Sequence, residues 1–310
     1  MSYNSCGGWP CGNGELMITA YERNTEIEND FNVLITLMAD MITAQALAER
    51  GNTQASALSI DLHVLAIKLF KHLCSARTLL EPCGFRTSTL PPHAFIDQAS
   101  VHALIRSAFE NYLVMYWLCA EGCDECRSFR HNIWTYSGLK KLSNFFATIE
   151  EAKIGKQKAT EEADALWPLI EGAASYKAAH ASRQRSIRKG DWQGGLPWKS
   201  LATEAGIHET FFTSIYNYLS GQAHSDSISC LQVGQAKDLD TQYYLASSSI
   251  RNGVMLMAHF ALFYATLFPV TYRVIEQSAA ARELISVWSF TAEDMEFLYK
   301  QEDSSAAGKA

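Results

Sequence analysis

The stretch Phe31-Asn32-Val33-Leu34-Ile35-Thr36-Leu37-Met38-Ala39-Asp40-Met41-Ile42 sets the reading of the whole chain. Phe31, Leu34, Ile35, Met38, Met41 and Ile42 recur at steps of three and four, so a helix gathers them on one stripe where a strand would scatter them over two faces. This predicts an amphipathic helix ending near Gly51. Leu58, Leu62, Leu65, Leu69 and Leu73 repeat the pattern, and Pro82 and Gly84 would terminate that second helix.

Further out, Pro91-Pro92 predicts the start of a third helix, from about Ala94 to Ala120, and a fourth is expected over Arg127 to Ile154. From there to Lys189 the composition turns polar. Gly190 to Pro197 reads as a loop, with Trp192 and the adjoining Trp198 tucked against the body. Helices are predicted to resume near His208, over Asp238 to Phe268, from Val270, and after Thr291, where Thr291 and Asp294 have capping-box spacing. No alternating run reads as a strand, and Asn13-Gly14 and Asn252-Gly253 lack the flanking alternation a hairpin needs. The expected fold class is all-α, a multi-helix bundle. Residues 21–301 are expected to form one domain, with a flexible tail at 1–20 and a disordered one at 302–310.

The 310 residues are 48% hydrophobic and 19% charged, against about 25% charged in ordinary soluble chains, which excludes general disorder. The formal net charge of -7 excludes a chain that is basic throughout, although a local basic patch stays open. Low charge and abundant aromatics make a homodimer one candidate assembly. Met1 to Gly14 holds no Lys or Arg and no long apolar run, so no secretory signal is expected, and the cytoplasm is the expected location. The eight cysteines are then expected to be reduced thiols. Val254 to Val270 is nearly all apolar but contains His259, meets Pro269 and falls short of the roughly 20 residues a membrane span needs. It reads as a buried helix, and no membrane partner is expected.

Chemistry concentrates on two helix faces. His102, Arg106 and Glu110 stand at four-residue steps in the largely apolar segment Val101 to Leu118, and Tyr216, Ser220 and His224 do the same later, with Asp226 two residues on. If the faces meet, Arg106 would hold phosphate oxygens, His224 would act as general acid or base, and Glu110 would orient one of them, with Ser220 beside them and Tyr216 as a binding residue. The same residues also fit a buried polar network that fixes helix register, or a ligand-binding or scaffold module without catalysis.

The sequence Leu104-Ile105-Arg106-Ser107-Ala108-Phe109-Glu110, followed by Asp191-Trp192, Trp198-Lys199-Ser200-Leu201-Ala202 and then Tyr216 to His224, resembles a family of bacterial helical proteins of unknown function. The shared motifs are an early Arg-Ser-x-x-Glu helix and a late Tyr-x-x-Leu-Ser-x-x-x-His helix. More distantly, the helical make-up is similar to the HEPN group of nucleotide-binding and RNA-cleaving bundles. That resemblance implies an RNA- or nucleotide-acting effector, such as a toxin or phage-defence protein, working without metal. HEPN nucleases place a His four to six residues after an Arg. Here Arg86 and His93 span Pro91-Pro92, and Arg251 and His259 are separated by seven residues.

Cys119, Cys123 and Cys126 have C-x3-C-x2-C spacing, which occurs in iron-sulfur enzymes and which His131 could extend to a zinc site. Free thiols at a helix-helix turn fit the helical context better, and no metal or cofactor is expected. Arg183, Arg185, Arg188 and Lys189 form a basic run without acids and are the candidate contact for RNA or nucleotide phosphate, or else a solvated helix end. His63 and His72 are nine apart on one helix and face opposite ways. No P-loop, dinucleotide fingerprint, HExxH motif or nucleophile elbow is present.

Overall fold

The computed structural model describes residues 21–50, 56–85, 87–89, 93–120 and 122–296. The tails expected at 1–20 and 302–310, together with Gly51, Arg86 and Pro91-Pro92, lie outside the described residues. In chain order come α1 (Thr25–Glu49), α2 (Ala57–Thr78), strands β1 (Cys83–Phe85) and β2 (His93–Phe95), α3 (Gln98–Cys119), α4 (Asp124–Ser143) and α5 (Glu150–Gly172). Then follow α6 (Ala174–Ala178), α7 (Ala181–Arg188), α8 (Trp198–Glu204), α9 (Glu209–His224), α10 (Ser227–Gln235) and α11 (Leu239–Leu267). A short 3-10 turn (Pro269–Thr271), α12 (Tyr272–Gln277) and α13 (Ala279–Trp288) close the series. The fold is an all-α, multi-helix bundle.

The stripe read from the sequence faces inward. Phe31, Leu34, Met38 and Met41 are at most 1% exposed, and burying each such side chain contributes on the order of 1.5–3 kcal/mol. Asn24 starts α1 by accepting from the Ile27 amide at 3.1 Å, and Ser56 does the same for Ser59 in α2. Leu69 and Leu73 of α2 are fully buried where it packs along α3, and α11 lies against both α1 and α3. At their crossing, a Cβ on Gly253 would stand 3.1 Å from Phe31 and from Ile105. The Asn252-Gly253 pair thus serves close helix packing within α11 and no turn. Among the described residues, α1 is the helix long and apolar enough to cross a membrane by length and composition. Its apolar stripe is a core stripe, and Val254 to Ala258 of α11 are likewise buried.

Three expectations are corrected. First, a two-stranded antiparallel ribbon exists, pairing Cys83 with Phe95 and Phe85 with His93. Strands of three residues are too short to display an alternation. Helix α3 accordingly starts at Gln98, where Asp97 accepts from the Ser100 amide at 3.0 Å. Second, the fourth helix breaks after Ser143, and the polar stretch beyond Ile154 is helical. Helix α5 buries only Ala159, Ala163 and Ile170 along its length and packs on α4 as a hairpin. Third, Cys123 and Cys126 form a disulfide, whereas Cys74, Cys83, Cys119 and Cys230 are free. The compartment argument spoke for thiols throughout, but a C-x-x-C turn at a helix start brings two sulfurs within bonding reach. At the other end of the chain, Thr291 donates its amide to Asp294 at 2.7 Å and the Asp294 amide donates to the Thr291 hydroxyl at 3.4 Å, the reciprocal cap that the spacing predicts.

Candidate functional site at the seam of two helices

Helices α3 and α9 lie side by side, joined by Phe109 edge-on to Phe212 at 6.0 Å. Phe212 in turn stacks on Tyr216 at 5.2 Å. This packing turns the two polar faces toward each other. Arg106 Nη2 stands 3.0 Å from Glu110 Oε1 and donates to Tyr216 Oη at 3.3 Å, while Tyr216 donates to Glu110 Oε1 at 2.6 Å. Arg106 Nη1 reaches His224 Nε2 at 3.3 Å. A guanidinium only donates, so Nε2 accepts in this pair and the imidazole proton sits on Nδ1.

Electrostatics follow from the closure. Burial and the hydrogen bond to Glu110 push the Tyr216 phenol up to about 12, so it remains a donor at neutral pH. For Arg106, burial works against the charge, but Tyr216 and Glu110 outweigh it and the guanidinium is held even more firmly protonated. Its carbon also lies 5.3 Å from the Tyr216 ring centroid, a cation-π contact. Two donors are left over. Arg106 Nε and Ser220 Oγ are buried without a partner among the described residues, and Ser220 lies one helical turn from both Tyr216 and His224. His224 itself is exposed, in the last turn of α9 before the left-handed Ser225.

Not every residue on those faces joins the cluster. His102 is fully buried, with Nδ1 2.6 Å from the Ser249 hydroxyl and Nε2 3.3 Å from Tyr218 Oη. Burial pushes it down to about 4, so it is a neutral core histidine. Asp226 is spent as the cap of α10, accepting from the Ser229 amide at 2.7 Å.

The basic run of α7 divides. Arg183 is half-buried and donates to the Trp192 carbonyl at 2.6 Å, and Arg188 lies over the Trp167 ring at 5.3 Å. Arg185 and Lys189 face solvent. Gly194, at φ 54, lets the loop close on Arg183, where any Cβ would collide with the guanidinium. From that loop an aromatic row leads back to the seam, with Trp117 to Trp192 at 4.6 Å, Trp192 to Trp198 at 6.2 Å and Trp198 to Tyr216 at 6.5 Å.

Other candidates separate. His131 turns away from the cysteines to Asp61 Oδ2 at 2.7 Å, and among the described residues no three His, Cys, Asp or Glu side chains stand together as a metal site. His259 is tied to the Phe290 carbonyl at 3.2 Å, apart from the exposed Arg251.

Sequence reasoning missed a second cluster. Glu28, 5% exposed, accepts from Arg23 at 2.5 and 2.9 Å, from Arg77 at 2.7 Å and from Tyr243 at 2.5 Å. Arg23 also grips Glu81 at 2.7 and 2.9 Å. A cleft of about 730 Å³ opens beside it, lined by Arg23, Asn24, Tyr243, Tyr244, Ser247 and Arg251 among others. Glu28 reads in the sequence as an ordinary acid in a first helical turn. Its partners Arg77 and Tyr243 lie 49 and 215 residues away, and no local pattern announces them.

The chain is thus an all-helical protein with an arginine, carboxylate, phenol and imidazole cluster across two helices. Residues 88–241, close to half of the chain, match the profile of a family of unknown function, DUF5677. That span includes both motif helices, α3 and α9. No curated protein and no solved structure matches the chain.

Proposed function

We propose that the α3–α9 seam recognises the phosphate of an RNA or nucleotide and transfers a proton there, making the protein a HEPN-like effector of the toxin or phage-defence kind. The observation that carries this reading is the pair of unspent donors, Arg106 Nε and Ser220 Oγ, beside an exposed His224 that leans on the same guanidinium. A phosphate oxygen displacing His224 from Nη1 would gain a charge-assisted hydrogen bond and free Nε2 to take a proton. Glu110 accepts from Tyr216 and pairs with Arg106 through one oxygen, Oε1, and so holds the guanidinium and the phenol in place beside the proposed phosphate position. Arg185 and Lys189 would add sequence-independent attraction for a polyanion.

The test compares the wild-type chain with His224→Ala for cleavage of RNA and nucleotides and for toxicity on expression. The expected outcome is a loss of activity of about 10²- to 10⁴-fold, the range for removal of a general acid or base, with an unchanged melting temperature. Absence of RNA or nucleotide binding by the wild type at low salt overturns the proposal. A second reading is favoured by the closed Arg106, Glu110 and Tyr216 triangle, which resembles a register-fixing network. On that reading His224→Ala costs several degrees and there is no activity to lose.

A further inference from the structure

We infer that Cys123 and Cys126 are a reversible dithiol-disulfide site that exchanges with a small thiol of the glutathione class. The pair stands at the corner between α3 and α4, bonded across a C-x-x-C turn. Cys123 is the cap residue of the 20-residue helix α4, its sulfur accepting from the Cys126 amide at 3.1 Å. Cys123 is an exposed residue and the one on which an incoming thiolate would act, whereas Cys126 is half-buried in the first turn. The third cysteine of the spacing takes no part. Cys119 is buried in the last turn of α3, and burial pushes its thiol up to about 11, where little thiolate forms. This leaves exchange to Cys123 and Cys126 and separates the site from a three-cysteine metal cradle.

The exchange balances as two displacements. A thiolate attacks Cys123 Sγ, the disulfide breaks and Cys126 leaves with the electron pair. A second thiol then attacks the mixed disulfide, releasing Cys123 as thiolate and closing the disulfide of the small thiol. Two electrons pass from two thiols to the protein, and two protons follow. The site touches the bundle through α4 itself, because Arg130, one turn beyond Cys126, donates to the Trp117 carbonyl at 2.6 Å and lies over the Trp117 ring at 5.3 Å. Reduction therefore opens a cross-link in the first turn of the helix that ties the α4–α5 hairpin to α3.

The experiment equilibrates the full native chain across ratios of reduced to oxidised glutathione, quenches with acid, alkylates, and reads the tryptic peptide Ser107 to Arg127 by mass spectrometry. As the ratio becomes oxidising, Cys123 and Cys126 are expected to lose their two alkyl groups together while Cys119 keeps its state throughout. In Cys123→Ser, Cys126 is expected to end as a mixed disulfide with glutathione. The inference is overturned if both cysteines stay alkylated at every ratio, or if Cys123 pairs with Cys119. It is also overturned if excess dithiothreitol opens the bond only after urea has unfolded the chain.

Discussion

Glu28 and Glu110 sit in clusters built from the same groups, a carboxylate, an arginine and a tyrosine, yet the clusters are finished differently. Around Glu28 every strong donor finds an acceptor: two guanidiniums and one phenol converge on a carboxylate that is 5% exposed, and Arg23 has Glu81 for its remaining reach. Around Glu110 the accounts stay open, with the side chains of Arg106 and Glu110 20% and 28% exposed, an exposed imidazole on the rim and two buried donors without partners. A saturated buried network holds helices in register, whereas buried donors without partners carry a desolvation cost that an incoming acceptor could relieve. The contrast separates the closed cluster that ties α1, α2 and α11 together from the one left with unpaired donors.

Removing a carboxylate from each cluster gives the largest contrast. Glu28→Ala removes the buried carboxylate on which Arg23, Arg77 and Tyr243 converge, leaving both arginines only Glu81 as an ion-pair partner, and is expected to cost about 3 kcal/mol. Glu110→Ala, in a partly solvated pair, is expected to cost about 1 kcal/mol. Urea titrations of both variants check this, and equal losses would erase the distinction. Next in size is a pH effect within the core. His102 is held neutral down to about 4 in the fold, while an unfolded histidine titrates near about 6.5. Between those values the unfolded chain binds the extra proton, so stability is expected to fall by about 2–3 kcal/mol as pH drops through that window. His102→Gln should remove this slope. Glu28 has the opposite habit: burial would raise its carboxyl, but Arg23, Tyr243 and Arg77 outweigh that and hold it below the usual range. Its contribution is present above about 4.3, the unfolded value, and is lost only in more acid solution.

Much of this architecture is legible in the chain, because helical periodicity is a local signal. The inward stripes of α1 and α2 follow from three- and four-residue spacing, and the four-residue steps of Arg106, Glu110, Tyr216, Ser220 and His224 already place the seam residues on two faces. What spacing leaves open is which faces meet, and here the meeting depends on Phe109 and Phe212 packing between the helices. The illegible parts share a reason. The β1–β2 ribbon is too short for a period, α5 buries too few side chains to show one, and the Glu28 cluster draws on Arg77 and Tyr243, 49 and 215 residues away. The Cys123–Cys126 bond was hidden differently, since the compartment argument outweighed a spacing that was plainly visible.

The smallest expected effect cuts finest. Ser220 Oγ is buried without a partner, so it bears a desolvation cost that no hydrogen bond repays. Deleting it in Ser220→Ala is therefore expected to leave stability unchanged or raise it by up to about 1 kcal/mol, a shift read as a melting temperature. The same change should weaken a nucleotide titrated into the chain by roughly tenfold, the equivalent of one lost hydrogen bond of about 1.4 kcal/mol. Should Ser220→Ala instead destabilise the chain by a kilocalorie or more, the hydroxyl is engaged in the unliganded protein. The α3–α9 seam would then be a second saturated network of the Glu28 type, with nothing held back for a phosphate.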